Sequence, residues 1–488
     1  MTDAPPVAAG RQLPRALTPF RTPAYRRLAV ALVLSTFATG VWIVAQVWEV
    51  IRLGGGPAQL SVVSTAAAVG VLLPALLAGV VADRVPQKTI LLCVAGIELG
   101  GMSLVAVLSL TDVTRLWHLA AVAFVTGVGM AFYYPAYSAW LPALVPESDL
   151  MAVNGFEGMV RPTIGQAAGP AVAGAVVGMA NPGSAVLVAA GAAALGLLAL
   201  TTVPKTAVRR ELPAEAVAHP VRTAVADMRE GLAYMWRTPW LLATLLFASL
   251  MILVLMGPLE VLTPFIIKDR LGGGPGDHAW VLGAFGIGGA VGSLIMASMR
   301  MPRRYLTWMN LLWGVGCLPM IVIGFAGSVW VVIGSAFLLG AMFSAPMVIW
   351  GTLLQRRVPP ALLGRVASLD FFVSISLMPV SMALAGPISQ LIGLRATFVI
   401  AGVVPALVAV VAIIWAKLPA DELAHPLRDE PESERGPARG PGDGPDDELG
   451  GDHDGGPGGH DGGPGGDLSA VIPAPTPGAE REPVPDPA

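Results

Sequence analysis

Twelve runs of mostly apolar residues, each near the length that crosses a bilayer, recur along this chain with only short breaks between them. A spanning helix needs about 20 such residues. The runs lie at 28–51, 58–82, 88–110, 116–140, 157–180 and 184–203, then at 240–267, 279–299, 305–325, 329–354, 366–391 and 395–416. Breaks such as Gly54-Gly55-Gly56-Pro57, Asn181-Pro182-Gly183 and Pro359-Pro360 separate them. Lipid offers the backbone no hydrogen-bond partner, so each run is expected to satisfy itself as a helix. Composition agrees. Charged residues make up 13% and hydrophobic ones 54% of the 488, against about a quarter charged in ordinary soluble domains. The expectation is an all-α integral membrane protein of twelve transmembrane helices.

Charge position then orients it. With the N-terminus inside, nineteen Lys and Arg fall in the inner segments before the C-terminal tail, among them Arg26, Arg27, Arg84, Lys88, Arg237, Arg303, Arg304, Arg356, Arg357 and Arg365. Five fall outside: Arg52, Arg115, Lys268, Arg270 and Arg395. Basic residues stay on the cytoplasmic side, so both termini are expected in the cytoplasm, which requires an even number of spans. Cys93 and Cys317 both lie inside apolar runs and are expected as small core residues.

The predicted organisation is a cytoplasmic N-terminal segment (1–27), a six-helix half (28–203), a cytoplasmic linker (204–239), a second six-helix half (240–416) and a disordered acidic Gly/Pro-rich tail (417–488). Within the linker Val221, Val225, Met228, Leu232 and Met235 recur at helical spacing, which predicts an amphipathic helix on the inner membrane surface. The tail repeats His-Asp-Gly-Gly-Pro at 453–457 and 460–464 and cannot bury apolar surface. Removing residues after Asp421 is therefore expected to leave function intact.

The halves repeat each other. Arg84-Val85-Pro86-Gln87-Lys88 answers Arg300-Met301-Pro302-Arg303-Arg304, and Val145-Pro146 answers Val358-Pro359 in a register that sets Glu157 against Asp370. Gly169-Pro170 and Gly386-Pro387 follow, displaced by about one turn. Two pseudo-symmetric halves about the membrane normal are a transporter architecture.

At these residues the chain resembles the major facilitator superfamily, over about residues 24–416. The superfamily's loop motif is matched by Gly79, Asp83, Arg84 and Lys88, with Pro86 and Gln87 replacing its Gly and first Arg. The resemblance implies a gating loop in which a carboxylate and cations at helix ends hold the halves together. Gly165, Gly169, Pro170 and Gly174 resemble the family's antiporter motif, with Ala173 in place of one Gly; small residues four apart allow close helix approach. That motif implies export. Leu141-Pro142-Ala143-Leu144-Val145-Pro146 and Arg229-Glu230-Gly231-Leu232 are similar to the branch of macrolide-efflux and enterobactin-export proteins.

Carboxylates inside a bilayer are costly, about 2.5–3.5 kcal/mol on insertion scales, and so each is a candidate for function. Glu98, mid-way along the third run with no charged neighbour within two turns, and Glu260, between Pro258 and Pro264, are proton-coupling candidates. A structural hydrogen bond is the rival reading of Glu98. Glu157 and Arg161, four apart, and Asp370 are candidate gating or ion-pair residues. Tyr133, Tyr137 and Trp140 on the fourth run and Trp350 on the tenth are candidate substrate-surface residues, with helix packing as the alternative. Glu49 and Trp48 are expected as interfacial anchors.

The expected function is secondary active transport in a bacterial inner membrane: a proton-coupled antiporter, acting as a monomer, that exports drug-like or siderophore-like molecules by alternating access. A nutrient importer or facilitator, or a non-transporting receptor or scaffold, is the alternative. No metal-ligand cluster, Ser/His/Asp arrangement or phosphate loop is present in the sequence, so an enzyme is not expected. The expected partners are a small-molecule substrate, protons and the bilayer, not nucleic acid. The energy source is the proton gradient, with no cofactor.

Overall fold

Proline and glycine set most of the helix boundaries. In the computed structural model, which describes residues 15–75, 78, 81, 85–146, 149–206, 220–299 and 301–427, the first half carries α1 (Pro23–Arg52), α2 (Pro57–Leu72), α3 (Gln87–Leu110), α4 (Leu116–Leu144), α5 (Leu150–Val160), α6 (Gly169–Met179) and α7 (Pro182–Thr201). The linker holds α8 (Pro220–Arg237). The second half carries α9 (Pro239–Gly257), α10 (Pro275–Ser298), α11 (Tyr305–Gly316), α12 (Pro319–Phe325), α13 (Val329–Arg357), α14 (Pro360–Ser376), α15 (Met378–Ile392) and α16 (Leu394–Trp415), followed by α17 (Leu418–Ala424). Proline opens many of these because the first helical N–H has no intrahelical partner to lose.

Among the described residues ten helices are long and apolar enough to cross a membrane. The shorter apolar Pro57–Leu72 stands where the second span was expected. The fifth is a helical stretch in which a π-helical turn, Arg161–Ala168, joins α5 to α6. π-Helical turns at Pro258–Leu262 and Ile266–Arg270 likewise interrupt the seventh around Pro258 and Pro264, where proline removes ladder hydrogen bonds.

An identical hexapeptide makes the same turn in each half. Arg52-Leu53-Gly54-Gly55-Gly56-Pro57 and Arg270-Leu271-Gly272-Gly273-Gly274-Pro275 both place their first Gly at positive φ, +77° and +65°, closing one helix as only Gly does without strain. Both then cap the next helix from a side chain at its third position. Gln59 Oε1 accepts from the Gly56 N–H at 2.9 Å and Asp277 Oδ2 from the Gly274 N–H at 2.8 Å.

These turns lie at one end of the bundle; Lys88, Arg237, Arg303, Arg304 and Arg356 gather at the other, called here the basic end. One apolar core runs through both halves, from Val41, Leu60 and Val105 to Leu255, Leu262 and Phe398, and in the second half it continues to the basic end at Trp240, Tyr305 and Leu354. At the basic end the first half has a separate core, built on Tyr25, Leu91, Tyr137, Trp140 and Val153.

Several expectations change. Glu49 is fully buried, held by Arg52 through two contacts of 2.8 and 2.9 Å, and Arg52 also reaches Asp112 at 2.7 Å. Glu49 and its largely buried neighbour Trp48 are interior residues, not interfacial anchors, and the i,i+3 guanidinium neutralises the carboxylate. Cys93 is exposed, against its expected place in the core; Cys317 is buried. The ninth run breaks at Cys317-Leu318 into α11 and α12. The first residues assigned to the tail fold as α17, where Glu422 is buried; residues from 428 on lie outside the described residues, as do 1–14 and the linker stretch 207–219.

Candidate functional site

The two halves touch through the helices that follow the repeated turns. Gly174 of α6 lies so close to α10 that a Cβ there would stand 2.9 Å from both Ala279 Cβ and Pro275 O. Gly386 of α15 meets the start of α2 in the same way: a Cβ would stand 2.6 Å from Ala58 Cα, and its N–H donates to Ser61 Oγ at 2.9 Å. Carrying the Glu157–Asp370 register forward sets Gly386 opposite Ala173, beside Gly174. The two contacts are therefore equivalent, and the Gly169-Pro170 marker is not the counterpart of Gly386-Pro387. These close approaches seal the interface away from the basic end. His278, buried in the first turn of α10, lies next to this seal, and among the described residues its Nδ1 has no hydrogen-bond partner.

The antiporter-like motif divides its work. Gly165 and Gly169 face α1 within their own half: a Cβ on Gly165 would meet Thr36 at 2.9 Å, and one on Gly169 would meet Gly40 Cα at 2.9 Å. Gly174 faces the other half. Pro170 sits just after the π-helical turn, which begins at Arg161. Of the gating-loop residues, Gly79, Asp83 and Arg84 lie outside the described residues. Lys88 is buried and donates to the carbonyls of Thr201, at 2.7 Å, and Val203. A cation there neutralises the C-terminal end of α7.

Arg161 pairs with Glu157 Oε1 at 2.6 Å and lies over the Tyr134 ring at 4.4 Å. The Arg161 side chain is 33% exposed, and Tyr134 beside it is exposed as well. Glu260, on the π-helical turn Pro258–Leu262, is exposed. In the second half Asp370 accepts from Trp350 Nε1 at 2.9 Å and from Ser374 Oγ at 3.3 Å. Glu98 is buried, and Ser35 Oγ donates to its Oε2 at 3.2 Å. A cavity of about 30 Å³ adjoins it, bounded also by Tyr133 and Tyr137.

Of the four aromatic candidates, Tyr137, Trp140 and Trp350 are buried. Trp140 Nε1 donates to Thr206 Oγ1 at 2.7 Å, and Trp350 packs edge-on against Trp240 and Trp313. Tyr133 is half-buried and stacks on Tyr137. The exposed aromatic beside this cluster is Tyr134, which sequence reasoning passed over because it falls off the i, i+4, i+7 stripe. Ser35 was missed too, since nothing in a sequence announces a hydroxyl facing a carboxylate two helices away. The repeated hexapeptide was visible and would have marked both seals.

Two like helical halves, in close contact through small residues at one end and carrying carboxylates on helices long enough to span a membrane, define a membrane transporter of the major facilitator type. The chain belongs to the transmembrane secretion effector family of that superfamily, whose profile matches residues 15–435. It is 28% identical over 397 residues to a multidrug efflux pump, Tap, of Mycolicibacterium fortuitum, covering 79% of this chain and 94% of the pump. It is 25% identical over 343 residues to macrolide efflux protein A of Streptococcus pyogenes, covering 68% and 81%. Among solved structures a POT family transporter in complex with a thioalcohol-conjugated peptide superposes with a TM-score of 0.62 at 17% identity, over 80% of this chain and 96% of that one. The nucleoside transporter NupG gives 0.58 at 12% identity, over 80% and 98%. Both structural likenesses speak to the fold.

Proposed function

We propose that this chain is a twelve-helix exporter of drug-like small molecules, driven by proton antiport, in a bacterial inner membrane with its basic end and both termini in the cytoplasm. Glu98 carries the proposal. It is a buried carboxylate in the middle of a spanning helix whose hydrogen bond comes from a neutral hydroxyl, and an unpaired charge in that position is unfavourable. Glu98 is therefore easiest to bury when it holds a proton, and alternating access requires a group whose charge state changes with conformation. The efflux-pump relatives support the outward direction. Sealing at the end away from the cytoplasm, with the cores separate at the basic end, supports an inward-facing state ready to load from the cytoplasm or inner leaflet. Tyr134 over Arg161 offers a flat, polarisable surface to a bulky ligand.

The test uses everted membrane vesicles, which turn export into uptake. A fluorescent dye, a macrolide and a hydroxamate siderophore are offered in turn. Accumulation of at least one of them should collapse on adding a protonophore and vanish in Glu98→Gln. Gradient-independent exchange of that compound by Glu98→Gln should persist. Uphill accumulation that survives the protonophore refutes proton coupling.

A further inference from the structure

The ninth span is broken beside a stretch of the tenth that carries little bulk. α11 presses on α13 at Gly316, where a Cβ would stand 2.7 Å from Met342 Cβ, and Trp313 Nε1 donates to the Phe343 carbonyl at 2.9 Å. One residue later the helix breaks at Cys317-Leu318, ahead of Pro319, which has no N–H to continue the ladder. Beyond the break α12 packs closely on α16. A Cβ on Gly324 would stand 2.6 Å from Phe398 Cβ, and one on Gly402 would stand 2.6 Å from Ile321 Cγ1. Towards α13 this leaves a groove of about 500 Å³, with Leu318 and Val322 on one wall and Val331, Gly334, Leu338 and Met342 on the other. At Gly334 a Cβ would meet nothing within 4 Å.

The lining and the depth of the groove select an occupant. Leu318, Val322, Val331 and Leu338 are exposed on helices long and apolar enough to cross a membrane, so the groove opens to lipid chains. Its volume falls in the range of small-molecule sites, about 300–1,000 Å³, but those carry several placed polar groups. Among the described residues only one polar side chain, Ser335, lines this groove. Val331 lies in the first turn of α13, and Met342 is one residue from its midpoint. The stretch between them is about 16 Å of helix at about 1.5 Å per residue, and half of a hydrocarbon core is about 15 Å. The groove thus runs the depth of one leaflet, the one away from the basic end. At its mouth Phe325, one turn beyond Val322, lies under the Arg395 guanidinium, 5.7 Å from the ring centroid. Arg395 is exposed and makes no ion pair among the described residues. Arg270 donates to the neighbouring Gly324 carbonyl. Trp330, 78% exposed, sits at the level where tryptophan meets headgroups.

We propose that this groove binds one anionic phospholipid of that leaflet, with an acyl chain lying from Val331 to Met342 and the phosphate paired with Arg395. Cations between helix ends select anionic headgroups over zwitterionic ones. The chain supplies the α12–α13 seam with the packing that the break at Cys317-Leu318 withholds. The lipid is a fixed component of the folded protein, not cargo.

Native mass spectrometry of the full chain, purified in mild detergent and titrated with phosphatidylglycerol or phosphatidylcholine, reads the site directly. Wild type should hold one phosphatidylglycerol at least about tenfold more tightly than phosphatidylcholine, a difference of about 1.4 kcal/mol. Arg395→Gln, a surface change that tests the headgroup independently of folding, should lose that preference. Arg115→Gln, which removes an exposed cation at the same end, should keep it. Gly334→Leu puts a side chain into the open groove and should abolish retention of both lipids. Leucine is the better helix former, so without lipid this variant should unfold at the wild-type temperature or above, separating a filled groove from a damaged fold. Phosphatidylglycerol should raise the unfolding temperature of wild type and not of Gly334→Leu. Equal affinity of wild type for the two lipids, or undiminished retention in Gly334→Leu, overturns the site. Displacement of the lipid by a transported dye would make the groove a cargo site and overturns it as well.

Discussion

Gly386 donates its backbone N–H to Ser61 Oγ at 2.9 Å, joining the second half to the first at the end of the bundle away from the basic loops. Its equivalent, Gly174, approaches Pro275 and Ala279 with no room for a side chain. Ser61 and Ala279 both follow copies of the same Arg-Leu-Gly-Gly-Gly-Pro turn. A duplicated turn has thus become a two-point seal. Without a hydrophobic driving force between helices in lipid, such contacts hold by backbone approach and hydrogen bonding.

Adding bulk at either point should therefore open the seal rather than unfold the protein. Gly174→Val and Gly386→Val each insert atoms into a filled contact, which costs about 1–3 kcal/mol. That is charged against the sealed state alone, and about 1.4 kcal/mol shifts a population tenfold. A cysteine placed at Ala58, in a background with Cys93 and Cys317 changed to Ala, should react several times faster with a membrane-impermeant maleimide in Gly386→Val. Unchanged labelling together with unchanged transport would show that the contact does not hold the two halves.

Asp370 and Glu157 occupy the same register but are satisfied differently. Trp350 and Ser374 serve Asp370 with neutral donors inside protein, whereas Glu157 meets the Arg161 cation at a half-open face. Hydrogen bonds to a charged group are worth about 1.5–3 kcal/mol. Partly exposed ion pairs give about 1 kcal/mol or less. A double-mutant cycle of Trp350→Phe with Asp370→Asn should hence show the larger coupling, and one of Arg161→Gln with Glu157→Gln the smaller. Thermal unfolding of the purified proteins in detergent measures both, and the reverse order would mean that the Arg161 face is dry.

Much of this architecture was legible because lipid leaves the chain so few options. Run length and the Pro and Gly punctuation followed directly from the backbone's need for internal hydrogen bonds. What could not be read was which face of each helix meets which neighbour. The helical spacing of Tyr133, Tyr137 and Trp140 was correct, yet it marks a packed face, and Tyr134 one step round the helix is exposed. Glu49 looked like an anchor because depth along a helix is visible in sequence, while its burial depends on how α1 is rotated. Glu98 was isolated in sequence, as it is in space; Ser35, Tyr137 and the cavity beside it come from three helices and needed coordinates.

The last described helix, α17, is tied to the second half by two carboxylates. Glu422, only 1% exposed, accepts from the N–H groups of Leu306 and Thr307 at 2.9 and 3.1 Å and from Thr307 Oγ1 at 2.8 Å. It caps α11 from more than a hundred residues away, satisfying helix-start donors and placing a negative charge at the positive end of the helix dipole. Beside it Asp421 pairs with Arg357 at 2.5 Å, and Arg357 lies over the Trp240 ring at 4.7 Å. A stop after Asp421 therefore does not remove an inert tail; it strips the cap from α11. Such caps are worth about 0.5–2 kcal/mol. Truncation after Leu427 should match the full chain in thermal unfolding and in dye efflux. Truncation after Asp421, or Glu422→Ala in the full chain, should lower the unfolding temperature of the purified protein. Equal stability of the two truncations would show that α17 contributes nothing to the second half.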